Sequence, residues 1–315
     1  MTVHSGLYVL FRKEVADHFR SRRFIIIMLI VAVTCLAGVY SAGMGIRAAV
    51  AQENNEFVFL KLFTSSGGSL PSFATFLSFL GPLVGLSMGF DAINGERNNR
   101  TLSRLLAQPI YRDVVINAKF LAGLFILVMM VLTLGLAVAG FGIILTGIPP
   151  TGEEVARMFV YLLFTVVYIA LWLAVSQLFS LLFRQTATSA LACIALWLFL
   201  VVFVGLLAGI IADGIYPVSE DAPVEVVVKN YNLQHTINRL SPTLLYDEAV
   251  VTILNPGVRS LGLVFLNQIE GAVPGALSLS QSLLLVWPHV TGILAATVIC
   301  FTVAYICFMR QEIRA

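Results

Sequence analysis

Six stretches without a charged side chain, residues 24–46, 73–90, 120–148, 158–183, 187–212 and 290–309, fill most of this 315-residue chain. Each meets the roughly 18 to 20 residues needed to cross about 30 Å of hydrocarbon at 1.5 Å per residue. With 59% hydrophobic and 11% charged residues, too little polar surface is left to coat a water-soluble globule. In hydrocarbon every backbone N–H and C=O must find a partner inside the structure, so runs of this length are helices. A barrel would instead show segments of about ten residues alternating polar and apolar, and none occurs.

The predicted fold class is therefore all-α integral membrane, with six transmembrane helices at about 24–46, 70–92, 119–148, 156–183, 187–212 and 285–309. Residues 1–23 precede the first span, 93–117 join the second to the third, and 213–284 precede the last. The first run follows five basic residues but exceeds the roughly 7 to 15 residues of a signal core, so it reads as an uncleaved span. Thirteen of the 19 lysines and arginines fall on one side when the N-terminus is placed inside. The positive-inside bias then predicts both termini in the cytoplasm. The net charge of +2 follows from that sidedness, and no basic patch with interleaved aromatics suggests nucleic acid.

Chemistry-bearing clusters are sparse. Cys35, Cys193, Cys300 and Cys307 all lie inside predicted spans and read as small packing residues. The four histidines are scattered, so no metal site and no catalytic residue is expected; Asp247, Glu248 and His235 form the one loose polar group. Asp247 and Glu248 read best as a solvated acidic face. The span interiors hold no carboxylate, which counts against an ion-coupled carrier.

Two polar pieces carry more information. Residues 5–22 set Leu7, Phe11, Val15 and Phe19 at helical spacing opposite Arg12, Lys13, Asp17 and Arg20, as in a helix lying along a membrane surface, although a plain basic flank has the same charge pattern. The segment DAINGERNNRTLSRLLAQPIYRDVVINAK, residues 91–119, predicts a short helix between Gly95 and Pro109, with Leu102, Leu105 and Leu106 on its apolar edge and Arg97, Arg100 and Arg104 on its charged one. So short a helix is marginal alone in water and is expected to dock on a partner or on lipid, unless it is an ordinary basic loop. Gly81, Gly85 and Gly89 form a GxxxGxxxG stripe that allows close helix approach, within the subunit or at a dimer seam, with the former favoured. In 213–284, VEVVVK at 224–229 has strand-like composition and SPTLLYDEAVVTIL reads as a helix capped at Ser241. Helices on the outer leaflet are the expected arrangement.

The stretch from Phe76 to Gly123 resembles the permease subunits of type-2 ABC transporters. Asp91, Gly95, Glu96, Thr101, Leu102, Leu105, Leu106, Pro109, Arg112 and Lys119 hold the places of that family's pattern, and FRKEVADHFRSRRF is similar to its opening amphipathic helix. Within the family the chain looks most like the permeases of nitrous-oxide-reductase maturation, through FLGPLVGLSMGFDAI and SPTLLYDEAV. The resemblance implies a type-2 ABC exporter permease fold in a cytoplasmic (inner) membrane, working as two permease copies, expected to be a homodimer, over two ATP-binding cassette ATPase subunits. No GxxxxGK[ST] loop occurs in the chain, so ATP and magnesium are expected in the separate ATPase and no cofactor in this subunit.

The same resemblance makes Glu96, Arg97, Arg100, Thr101, Leu102, Arg104, Leu105 and Leu106 the coupling contacts to the ATPase, with Phe11, Arg12, Lys13 and Arg20 in an elbow helix beside them. The function it implies is export across, or force transmission through, the membrane, with a further extracytoplasmic partner. The alternatives are an ion-coupled secondary carrier and a non-transporting membrane anchor or scaffold.

Overall fold

The computed structural model describes residues 3–50, 57–65, 70–108, 110–219, 222–257 and 276–311. Pro109 lies outside the described residues, as does the side chain of Leu106. Among the described residues there is no strand, and six helices are long and apolar enough to cross a membrane. The chain is a multi-pass membrane protein.

Helix α1 (Val3–Arg20) leads through Ser21 into the first span, α2 (Arg22–Val50), and a short α3 (Val58–Thr64) follows. The second span is α4 (Phe73–Gly89), which runs through Pro82 without ending. Two short helices, α5 (Asn94–Asn98) and α6 (Leu102–Leu106), precede the third span, α7 (Arg112–Thr146). The fourth span, α8 (Gly152–Leu182), opens with a capping box in which Thr151 and Glu154 satisfy each other's backbone N–H groups. The fifth is α9 (Thr186–Leu198), a π-helical turn at Phe199–Phe203 and α10 (Val204–Ile215). Then come α11 (Val224–Asn238), α12 (Pro242–Leu254) and the sixth span, α13 (Leu279–Arg310).

Helix α8 is the hub, packed against α4, α7, α12 and α13, and its Tyr161, Tyr168 and Trp172 are among the largest fully buried side chains. Helix α4 fits against α8 through the glycine stripe. A Cβ added at Gly81 would lie 3.0 Å from the Ile169 side chain, and one at Gly85 would lie 2.7 Å from the Ile169 carbonyl oxygen. At Gly89 it would meet Ser176 Oγ. The small residues thus bring two backbones together inside one subunit. Gly85→Ala must push α4 off α8, because the neighbour is backbone and cannot rotate away. The expected loss is about 1–3 kcal/mol, read as a lowered unfolding midpoint in detergent, whereas Gly140→Ala, with nothing within 4 Å, is expected to leave it unchanged.

Two details depart from the sequence reading. VEVVVK is helical, forming the start of α11. A lone β segment here would expose unpaired backbone groups, whereas a helix bonds its own and adds the Lys229–Glu225 pair at 2.6 Å, one turn apart. The helix beginning at Ser241 carries no side-chain cap; Pro242 at its first position supplies the start instead.

Helix α11 turns back along α10. Asn230 Nδ2 donates to Asp213 Oδ1 and to the Tyr216 carbonyl, both at 2.8 Å, and further along the pair Asn238 faces Gly205. The eight residues from Asp213 back to Gly205 correspond to about 12 Å of descent, so the segment re-enters the bundle.

At its lower end α11 meets a partly buried polar group. His289 Nε2 lies 2.7 Å from Glu248 Oε2, His235 Nε2 lies 3.1 Å from Glu248 Oε1, and Arg239 reaches the same carboxylate at 3.3 Å. Burial would raise the Glu248 pKa, but the hydrogen bond from His289 and the charges of His235 and Arg239 hold it below the usual carboxylate range. Asp247 goes the other way, pushed up to about 6 by burial against only a weaker opposing hydrogen bond from Ser78. The pair is therefore partly buried, with Glu248 drawn into a polar cluster, rather than a solvated face.

Candidate functional site

The residues singled out between the second and third spans gather at one end of the bundle, the base, where α1, α5, α6, the start of α7 and the end of α13 meet. The segment is two short helices rather than one, because Arg100 takes a left-handed backbone (φ 54°) between them. Its entry is fixed by α8: Ser180 Oγ accepts from the Ile93 and Asn94 backbone N–H groups at 2.9 and 3.1 Å. Asn94 Nδ2 donates to the Phe183 carbonyl at 3.3 Å.

At the centre are two lysines and two glutamates. Lys119, two turns into α7 and only 6% exposed, donates to Glu14 Oε1 at 3.0 Å and to Glu96 Oε1 at 2.9 Å. Lys13 reaches the same two oxygens at 2.9 and 3.3 Å and Asp17 at 3.2 Å. Three chain segments, α1, α5 and α7, are thereby pinned at one point. Burial alone would raise the Glu14 pKa, but Lys119 and Lys13 together hold it below its ordinary value. Lys13 responds in the opposite sense: burial disfavours its charge, yet Glu14, Glu96 and Asp17 raise its pKa overall. Glu14 was not among the residues the sequence singled out; a carboxylate beside the lysine of an amphipathic helix was the available signal.

Around this quartet, Arg23 donates to Asp91 Oδ2 at 2.6 Å and sits over the Phe90 ring, joining the start of α2 to the end of α4. Gln311, just past α13, accepts from Arg97 through its side chain and from Arg112 through its carbonyl, and donates to the Leu181 carbonyl at 3.0 Å. Thr101 Oγ1 caps the segment by donating to the Glu96 carbonyl at 3.1 Å.

The predicted apolar edge is divided. Leu102 is 1% exposed, packed among Leu10, Ile93, Val114, Ala118, Leu181 and Phe308, so it anchors α6 to the base, while Leu105 lies half-buried at the margin of that cluster. Arg100, Thr101 and Arg104 face outward, as do Arg12 and Arg20 on α1. Phe11 turns inward onto Phe125 of α7, ring centroids 5.6 Å apart. Among the described residues no group of three histidine, cysteine, aspartate or glutamate side chains is placed to hold a metal ion. The base can therefore transmit load through ion pairs and hydrogen bonds, and it presents a basic outer surface.

A family model described as "ABC-2 family transporter protein" matches residues 8–313. The chain is 29% identical over 138 residues to the probable ABC transporter permease protein NosY of Stutzerimonas stutzeri, an alignment covering 44% of this chain and 46% of that protein. It is 35% identical over 115 residues to the probable ABC transporter permease protein NosY of Pseudomonas aeruginosa, covering 36% of this chain and 38% of that protein. The aligned stretches span less than half the length of these curated relatives.

Proposed function

The chain belongs to the ABC-2 family of transporter proteins, and from that membership we propose that it is the membrane-spanning permease subunit of an ABC transporter, worked by a separate ATPase docked at the base. Two ATPase copies under two permease copies, arranged as a homodimer in the cytoplasmic membrane with both termini inside, complete this reading. ATP and its magnesium belong to the ATPase, and no residue of this chain is assigned to them or to catalysis.

The single observation that carries the proposal is the Lys119–Glu14–Glu96 junction. It ties the outward-facing α5–α6 segment to both the elbow helix α1 and the third span. A push on α6 then moves α1, α7, α8 and α13 as one body, because Leu102 is set in their shared core and Ser180 grips the segment's entry. Closure of the two ATPases would tilt these spans against the second permease, the rigid-body mode open to packed helices. The outcome is export across the membrane or force passed to an extracytoplasmic partner.

Arg100 and Arg104 supply the exposed charge for docking, and both stand outside the junction. The double variant Arg100→Glu/Arg104→Glu is expected to fold normally and to reduce co-purification with the ATPase and coupled ATP turnover at least roughly tenfold, as reversed interfacial charge does. Undiminished co-purification together with undiminished turnover would sink the assignment of the base as the ATPase dock.

A further inference from the structure

At the base the sixth span ends on a residue whose polar groups are all engaged. Gln311 directly follows α13, and its own N–H donates to the Cys307 carbonyl at 3.1 Å, closing the helix. Its Oε1 accepts from Arg97 in α5, and its carbonyl accepts from Arg112, the first residue of α7, at 2.8 Å. Its Nε2 donates to the carbonyl of Leu181, in the last turn of α8, where helix carbonyls lack a partner of their own. One glutamine thus joins α13 to three other elements.

Arg97 shows what this joint is for. Charged residues on a short polar helix are candidates for an external partner, and Arg100 and Arg104 do stand exposed. Arg97 instead is half-buried and bonded to α13. With an ionised donor, that bond is roughly twice as strong as one between neutral groups. Arg112 reinforces the joint from the side, its guanidinium 5.7 Å over the Phe308 ring. The apolar cluster that includes Leu102 and Phe308 also draws α6 and α13 together, but burial is non-directional. Hydrogen bonds set the register between them.

The far end of α13 is held by other groups. The helix is 32 residues long and runs through Pro288 without ending. Near its start Ser282 accepts from Arg157, and His289 pairs with Glu248 of α12 at 2.7 Å. About 33 Å of helix separates His289 from Gln311.

We propose that Gln311 is a positioning residue for coupling: through Arg97 it ties the sixth span to the α5–α6 segment, so that displacement of this segment is passed along α13 to its contact with α12. Arg97 then serves α13 and not the ATPase. The inference rests on the reading of the base as the ATPase dock, and it adds the residue by which movement leaves the base.

The test uses the full chain in complex with its ATPase, with hydrogen exchange across Pro242–Leu254 measured with and without a non-hydrolysable ATP analogue. The analogue is expected to change exchange there in the parent complex. Gln311→Met is expected to co-purify with the ATPase undiminished but to reduce that change about tenfold, the equivalent of one hydrogen bond to a charged group. Gln311→Glu is expected to preserve it, since a carboxylate still accepts from Arg97. Both variants keep the backbone bond to Arg112, and the glutamate variant guards against a methionine variant that merely misfolds. Arg97→Met should match Gln311→Met, and the double variant should be no worse than either, as for two partners in one interaction.

A parent complex whose α12 ignores the analogue, or a Gln311→Met complex that responds like the parent, would overturn the inference while leaving the dock in place. Equal losses in the methionine and glutamate variants, or additive losses in the double variant, would reduce Gln311 to a structural residue. Failure of Gln311→Met to co-purify would make it part of the dock instead. A parent chain that does not bind the ATPase removes the dock reading and this inference together.

Discussion

Lys119→Met is expected to cost about 3–5 kcal/mol of stability, the penalty for removing one partner of a buried ion pair and leaving the other charge uncompensated. Both Glu14 and Glu96 lose a donor within 3.0 Å, and only Lys13, itself partly exposed, remains to neutralise them. The loss should be read as a lower unfolding midpoint of the detergent-solubilised protein. It should also appear as release of α1, detected by faster proteolysis near Ser21, because the elbow helix is held to α7 through this contact. A variant as stable as the parent would show that the junction carries no load.

The acid response should weaken as well. In the parent chain the Glu14 pKa is depressed below its unfolded value, so the junction's contribution is fully present above about pH 4.3 and is lost as pH falls through the folded pKa. Without Lys119, the charge that most favours the Glu14 carboxylate is gone and only Lys13 remains, so the Glu14 pKa is expected to rise from its depressed value. The variant should then lose less stability than the parent as pH falls below about 4.3, a difference that thermal melts at pH 3 to 7 would reveal.

Arg157→Met is expected to cost about 3–5 kcal/mol at the opposite end of the bundle. This guanidinium is 0% exposed and holds three elements together. Nη1 donates to the Ile253 carbonyl at 2.9 Å and to Ser282 Oγ at 3.2 Å, and Nη2 donates to Glu153 at 2.9 Å and to the Leu277 carbonyl. Methionine fills similar volume but leaves two buried carbonyls without donors. The end of α12 and the start of α13 should then separate from α8, seen as proteolysis between them and a depressed unfolding midpoint. Lysine should rescue little, since one ammonium cannot reproduce the fork that serves α8, α12 and α13 at once. Near-complete rescue by lysine would contradict this account.

Much of the architecture was legible in the residues. Six uncharged runs prescribe six spanning helices because hydrocarbon allows no other open structure, and GxxxGxxxG on α4 marks a face that another backbone approaches closely. The stripe of residues 5–22 is helical, as its spacing required, with Phe11 against Phe125 of α7, but Phe19 stays exposed and the described buried residues of α1 are Leu10 and Glu14. VEVVVK misled because β propensity mostly measures fit to a pleated neighbour, and here the neighbour is α10. Leu102 could not be told from Leu105 by spacing alone, because which edge of a one-turn helix is buried depends on what lies beneath it.

The sequence by itself therefore determined the number of membrane crossings, the family pattern after the second one, and the glycines that permit close packing. All of these follow from local composition and short-range periodicity. Only the tertiary structure decided that Glu14, Glu96 and Lys119, separated by up to 105 residues, share one buried junction. It alone drew Glu248 to His235, Arg239 and His289. Charges are assigned their partners by the packing of helices distant in sequence, and no periodicity within a single helix encodes that choice.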